Sequence, residues 1–328
     1  MSTDYRFSVA PMMDWTDRHC RYFHRLLSKR ARLYTEMVVA DAVVFGERGR
    51  LLEFNHSEHP VALQIGGSEP SRLAEAAKIG EQFGYDEINL NVGCPSDRVQ
   101  SGTFGACLMR TPTVVADCID AMRRSVSIPV TVKCRIGVDD QDPTETLPAF
   151  VHECAQAGAG VFIVHARKAW LQGLSPKDNR EIPPLDYELV AKVKSANPEL
   201  TIVLNGGITS IDQCHDHLEC FDGVMLGRSA YQQPRLLTHV DQEFFGDRGT
   251  PSSVEAVVDH MDAYVQQQAR QDVRPNAIVR HIQGLAHGLP GARRWRRLLT
   301  EQGTNTPADI LRTAYEAVAD EWSASLAA

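Results

Sequence analysis

Short apolar runs rich in β-branched residues recur through the first 230 or so residues: FSVA (7–10), LYTEM (33–37), VALQI (61–65), EINLNV (87–92), VTVKCR (130–135), VFIVHA (161–166), TIVLN (201–205) and GVMLG (223–227). Between them lie segments with helical periodicity. PSRLAEAAKIGEQFG places Pro70 near a helix N-terminus and Gly84 at its C-terminus, and TPTVVADCIDAMRRSV offers Thr111 as N-cap with Pro112 at the first position. Nearly continuous apolar strands alternating with helices require a parallel sheet buried on both faces. Eight such units predict a (β/α)8 TIM barrel, placed at residues 1–245. The competing architecture, a doubly wound open sheet, usually has fewer strands and a G-x-G-x-x-G after the first, which this sequence lacks.

After the turn-rich GDRGTPSS (246–253) the pattern changes and no strand run recurs. VEAVVDHMDAYVQQQARQ, RPNAIVRHIQGLAHGL, GARRWRRLLTEQG and TPADILRTAYEAVADEWSASL read as helices punctuated by Gly and Pro, which predicts a small all-α domain over 246–328. No repeat longer than the β-α unit and no low-complexity tract is present.

The length of 328 residues suits a large barrel with an appended domain, and 43% hydrophobic with 23% charged residues is ordinary for a soluble protein. No apolar run approaches the ~20 residues that cross a bilayer, so no membrane role is expected. MSTDYRFSVAPMMDW lacks the basic start and apolar core of an export signal, which makes the cytoplasm the expected location. The eight cysteines form no C-x-x-C pair, which argues against a disulfide scaffold and a zinc ribbon. CHDH (214–217) has no second ligand pair, so no metal is expected. A net charge of −8 speaks against a general nucleic-acid binder, leaving any RNA role to a local basic patch.

Unusual residues at the C-terminal ends of barrel strands face the active site. Here they are Pro11, Met12 and Met13; Gln64; Asn89, Asn91 and Cys94; Lys133 and Arg135; His165 and Arg167; Asn205, Gly206 and Gly207; Gly227 and Arg228. NGG after the seventh run and GR after the eighth have the form of a phosphate site, with glycines for close backbone approach and a guanidinium fork, although a Gly-Gly can equally be a plain turn. Lys133 within a buried strand needs an anionic or electron-rich partner, either a reduced flavin ring that Gln64 also contacts or a carboxylate of the barrel. His165 is either a satisfied core histidine or a ligand contact. Cys94, in NLNVGCPS, has neighbouring Asp97, which favours the neutral thiol. A neutral thiol with a pKa of about 8.5 is a competent general acid, suited to protonating one carbon of an activated C=C bond while a flavin delivers hydride to the other. The alternative is a packed free cysteine.

APMMDWTDRHCRYFHR, LYTEMVVADAVV, ALQIGGSEP, INLNVGCPSDRVQSGTFGACLM, VKCRIGVDD, HARKAWLQGLSPKDNREIPPLDY and LNGGI with LGRSAY closely resemble the tRNA-dihydrouridine synthases of the bacterial A-type subfamily, across nearly the whole chain. Asp178, where Glu is expected, is the one small departure. The resemblance implies an FMN-binding barrel and a helical domain that grip tRNA, with NADPH as reductant and hydride passing to C6 of a D-loop uridine at position 20 or 20a while Cys94 protonates C5. It implies Pro11, Met12, Met13, Gln64, Lys133, His165, Asn205, Gly206, Gly207, Gly227 and Arg228 as flavin ligands, and Asn91 as a contact to the target uridine. Lys177, Arg180, Arg293 and Arg296 would contact tRNA. The RRWRR run (293–297) resolves the charge conflict, because its phosphate contacts set register without reading bases, while Trp295 packs inward. No protein partner is implied, and the expected state is a monomer. Two rivals are a flavin barrel that reduces a small molecule, which needs no basic helical domain, and a non-catalytic RNA-binding module, which needs no flavin.

Overall fold

The computed structural model describes residues 5–96, 104–301 and 307–326. Its contacts divide the chain into two compact units, Met1–Asp14 with Arg32–Gly227 and Trp15–Ala31 with Arg228–Ala328. The division thus falls at Gly227, not at the expected 245/246. The turn-rich break is real, since the helix Val240–Phe245 ends on left-handed Gly246 with φ 65°, but it lies inside the second unit. The helix Arg18–Leu27, expected within the barrel domain, also belongs to the second unit. Arg18 donates to Gln268 Oε1 (3.0 Å), His19 Nδ1 pairs with Tyr264 OH (2.8 Å), and Tyr22 stacks on Tyr264 at 4.1 Å.

The first unit is a parallel barrel. Its strands are β1 (Phe7–Val9), β2 (Leu33–Tyr34), β3 (Val38–Val39), β4 (Val61–Gly66), β5 (Glu87–Val92), β6 (Val130–Cys134), β7 (Val161–His165), β8 (Thr201–Asn205) and β9 (Gly223–Leu226). They are hydrogen-bonded in the order β1-β9-β8-β7-β6-β5-β4-β2, with β3 also on β4. A parallel bridge from Ser8 to Arg32, with Val9 N–H donating to Arg32 O (2.9 Å), closes the ring. The predicted second strand, 33–37, is interrupted because the Thr35 hydroxyl, not a backbone carbonyl, accepts the Gln64 N–H (3.0 Å). Helices lie between the strands. Pro70–Phe83 begins on proline and ends at left-handed Gly84 (φ 95°), as read from sequence. Pro112–Ser125 also starts where expected, but the Thr111 side chain does not cap it.

Side chains alternate across a strand, and in β5 this sorts polar from apolar. Ile88 faces the helix Pro70–Phe83, so closely that a Cβ on Gly80 would stand 2.7 Å from Ile88 Cδ1. Glu87, Asn89 and Asn91 therefore point into the barrel. Part of the interior is apolar: Ala62, Ile163, Val203 and Met225 pack with Tyr5, Ala10 and Tyr34, each fully buried aliphatic side chain contributing roughly 1.5–3 kcal/mol. Two residues further along three of these strands, the inward positions become Gln64, His165 and Asn205.

In the second unit Val254–Ala269 and Ala292–Thr300 form as predicted, whereas the helix expected over 274–289 is split into Pro275–Val279 and a 3-10 turn, Gln283–Ala286. Gly284 lets this turn pack closely on the backbone after Arg228, because a Cβ there would meet Tyr231 O at 2.7 Å. Trp295 is fully buried against Trp322, with ring centroids 5.0 Å apart. No helix among the described residues is long and apolar enough to cross a membrane.

Candidate functional site

At the C-terminal end of β5, Pro95 and Gly93 flank the half-buried Cys94, whose backbone is tied on both sides. Its N–H donates to Asn91 Oδ1 (3.0 Å), as does that of Gly93 (3.1 Å), while its carbonyl accepts from Ala106 N–H (2.9 Å). Cys94 Sγ lies 3.4 Å from Ser96 Oγ. Asp97, the residue expected to favour the neutral thiol, lies outside the described residues. The cations that stand close by are Lys133, paired with Asn91 in the β5–β6 register, and Arg135, whose Nε donates to Gly93 O (3.2 Å). Asn91 Nδ2 donates in turn to Gln64 Oε1 (2.8 Å), so Gln64, Asn91 and Cys94 form one hydrogen-bonded group.

Lys133 stands beside Asn91 in the β5–β6 register, and its Nζ donates to Asn205 Oδ1 at 2.9 Å. No carboxylate pairs with it among the described residues, which removes the barrel-carboxylate alternative there. An ammonium has three donors, and a single amide oxygen leaves it suited to an electron-rich partner. Burial, then the positive charge of Arg135, lowers its pKa from 10.5 to about 7. Between these values the unfolded chain holds the proton and the folded chain does not, so stability rises with pH across that window and the penalty is complete below about 7. The stability of Lys133→Met relative to wild type, measured by urea unfolding of ligand-free protein, should therefore shift in favour of methionine as pH falls from about 10 to about 7. A pH-independent difference would show that the lysine keeps its proton in the fold.

His165 is paired in register with Asn205 and is kept neutral, its pKa pulled well below 6.5 by burial and then by Arg135 and Lys133. Asn205 Nδ2 donates to Met225 O (2.8 Å), which leaves its Oδ1 facing Lys133. Gly206 (φ 111°) and Gly207 (φ 75°) follow in conformations that favour glycine, and neither has space for a side chain. A Cβ on Gly206 would stand 2.6 Å from His165 Cδ2, and one on Gly207 2.5 Å from Leu185 Cδ1. Across the β1–β9 junction, Pro11, Met12 and the exposed Met13 follow Ala10, whose N–H bonds Leu226 O (2.8 Å), and Met12 Sδ is 3.6 Å from where a Gly227 Cβ would be. Arg228, next in the chain, opens the helix Arg228–Gln232 of the second unit.

The segment after β7 is laced around the fully buried Asn179, which accepts from Trp170 N–H (2.7 Å) and donates to Trp170 O (2.9 Å). Arg135 ties it to the Cys94 loop, donating to Gly93 O (3.2 Å) and Asn179 O (2.9 Å). Lys177 and Arg180 are exposed on this segment, as are Trp170 and Ile182. In the second unit the four arginines of 293–297 are exposed. Arg294 pairs with Glu321 (3.4 Å) and Arg297 with Glu301 (3.2 Å), whereas Arg293 and Arg296 make no ion pair among the described residues.

The first unit thus gathers Gln64, Asn91, Cys94, Lys133, His165, Asn205, Gly206 and Gly207 on successive strand ends. Lys177 and Arg180 are exposed on the segment that follows β7, and Arg228, Arg293 and Arg296 belong to the second unit. Sequence reading did not assign roles to Arg135, Asn179 or the interior residues Glu87, Asn89 and Thr131. For Glu87 and Asn89 a signal existed, the polar period of two in EINLNV.

The dihydrouridine synthase family model matches residues 8–322. The chain is 56% identical over 320 residues to the tRNA-dihydrouridine(20/20a) synthase of Escherichia coli O6:H1, covering 97% of this chain and 96% of that protein. It is 55% identical over 317 residues to the protein of the same name from Shewanella oneidensis (96% and 94% covered) and 54% identical over 306 residues to that of Yersinia pestis (93% and 88%). Members of the matched family are flavin-dependent oxidoreductases. The chain belongs to the dihydrouridine synthase family.

Proposed function

We propose that this protein reduces the C5=C6 bond of uridine at positions 20 and 20a of tRNA, with FMN as cofactor and NADPH as reductant, as a cytoplasmic monomer. The observation that carries the reading is the joining of Cys94 to Asn91 and Gln64 in one hydrogen-bonded group beside Lys133, in a chain whose relatives are named for this reaction on tRNA.

The donor set suits FMN. Lys133 has N–H donors beyond its bond to Asn205, Gln64 lies beside Asn91, and Gly206 and Gly207 form a cradle that a Cβ would fill. Pro11, Met12, Met13, Gln64, Lys133, His165, Asn205, Gly206, Gly207 and Gly227 would hold the cofactor, and the sequence-based expectation adds Arg228. Neutral His165 can donate one hydrogen bond without adding charge. When bound and reduced, FMN supplies a hydride to C6 of the uridine. Asn91 orients the base, and the Cys94 thiol gives its proton to C5. The thiolate left behind regains a proton from solvent. A base inside the folded D-loop must be drawn out of its stack first, at a cost of a few kcal/mol. Lys177 and Arg180 of the barrel unit, and Arg293 and Arg296 of the helical unit, provide phosphate contacts that set register. Arg293 and Arg296 suit this role because no neighbouring carboxylate among the described residues neutralises them.

The test is mass spectrometry of tRNA from a strain lacking this gene. Complementation with the wild-type chain should restore dihydrouridine at positions 20 and 20a. Failure to restore it would refute the reading.

A further inference from the structure

Glu87, fully buried at the start of β5, has no part in the chemistry above, yet a hydrogen-bonded chain runs from it to the Cys94 backbone. We propose that Glu87 is a positioning residue: its carboxylate fixes which way round the amides of Asn89, Gln64 and Asn91 stand, and through them the backbone at Cys94. This rests on the role proposed for Cys94.

An amide can be turned end for end with almost no change in shape, exchanging donor for acceptor, so packing alone does not specify its direction. A carboxylate removes that freedom, because it only accepts. The Thr131 hydroxyl gives its proton to Glu87 Oε1 (2.5 Å), which leaves it only lone pairs for Asn89. Asn89 must then present Nδ2 to Thr131 (2.7 Å) and Oδ1 to Gln64 Nε2 (2.7 Å). Gln64 has Oε1 left for Asn91 Nδ2 (2.8 Å), and Asn91 has Oδ1 left for the N–H groups of Gly93 (3.1 Å) and Cys94 (3.0 Å). Every donation runs one way, towards Glu87. With the last amide reversed, an NH2 group would oppose two N–H donors and the Cys94 turn would lose its tie. The carboxylate itself is held by Tyr34, whose hydroxyl donates to the same oxygen (2.9 Å), and by Arg32, whose Nη1 stands 3.3 Å from Oε2. A buried charge needs such partners.

The experiment is hydrogen exchange at the Gly93 and Cys94 amides in the full-length protein without tRNA, comparing wild type with Glu87→Gln, Thr131→Val and Thr131→Ser. Glu87→Gln can donate as well as accept, Thr131→Val keeps the shape and the Arg32 pair but cuts the chain, and Thr131→Ser keeps the hydroxyl. Exchange at the two amides should be roughly tenfold faster in Glu87→Gln and Thr131→Val, the scale of one lost hydrogen bond. It should stay near wild type in Thr131→Ser, with the β8 amides of Val203 and Leu204 unchanged in all variants. The two fast variants should lose kcat for dihydrouridine formation while keeping KM for tRNA. Wild-type exchange in Glu87→Gln and Thr131→Val, or equal acceleration in Thr131→Ser and Thr131→Val, would overturn the proposal. If Glu87→Gln does not fold, the Thr131 pair decides. Exchange is read without turnover, so a wild-type protein that makes no dihydrouridine would sink the proposed reaction without touching this result.

Discussion

Cys94→Ala should lower dihydrouridine in tRNA from a complemented deletion strain by a factor of about a hundred or more, the usual contribution of a positioned general acid. Hydride delivery to C6 leaves charge at C5 that has to be met by a proton, and the Cys94 thiol is the group we assign to supply it. Its backbone is fixed by Asn91 and Ala106, neither of which depends on the sulfur, so removing the thiol should not move the loop. Cys94→Ser should fall between alanine and wild type, since a hydroxyl is a much weaker acid in the same place. Thermal unfolding of all three proteins should coincide. Restoration of full modification by Cys94→Ala would take the thiol out of the mechanism and return it to the packed-cysteine alternative.

Gly206→Ala should yield a protein that purifies without yellow colour and unfolds at lower temperature. Two costs add at this position. The backbone φ of 111° is disfavoured for any side chain, at about 1–3 kcal/mol. The new Cβ would stand 2.6 Å from His165 Cδ2 and 3.1 Å from Leu185 Cδ2, and overpacking of this kind costs a further 1–3 kcal/mol or so. A total of about 3 kcal/mol corresponds to a fall of roughly 6–12 °C in Tm for a unit of this size. Relief of the clash would displace His165, which is why loss of flavin should accompany the loss of stability. Gly173→Ala is the control, since Gly173 also has positive φ (82°) but nothing within 4 Å of a Cβ, so it should keep its colour and lose only the backbone cost. Retention of full flavin content by Gly206→Ala would show that these glycines serve the turn alone.

The barrel was legible because parallel strands buried on both faces leave a compositional mark, and the prolines at 70 and 112 mark helix starts for a local reason, a missing N–H where none is needed. The unit boundary was not legible. The helix Arg18–Leu27 joins the second unit through partners more than 240 residues away in sequence, Gln268 and Tyr264, and no local pattern announces such pairs. Strand ends identified the site's outer layer, because barrel geometry turns sequence position into depth. The interior chain below it was half visible: period-two polarity in EINLNV puts Glu87, Asn89 and Asn91 on one face, but Thr131 and Gln64 come from the neighbouring strands through the register and Arg32 from the residue before β2, which no local pattern supplies.

The most direct test is anaerobic reoxidation of the purified, NADPH-reduced protein. Addition of tRNA lacking dihydrouridine should reoxidise the flavin, with one dihydrouridine formed at position 20 or 20a for each flavin consumed, while buffer, free uridine or fully modified tRNA leaves it reduced. Reoxidation that proceeds equally without tRNA, or that yields no dihydrouridine, would contradict the assignment of this chain as a reductase of uridine in tRNA.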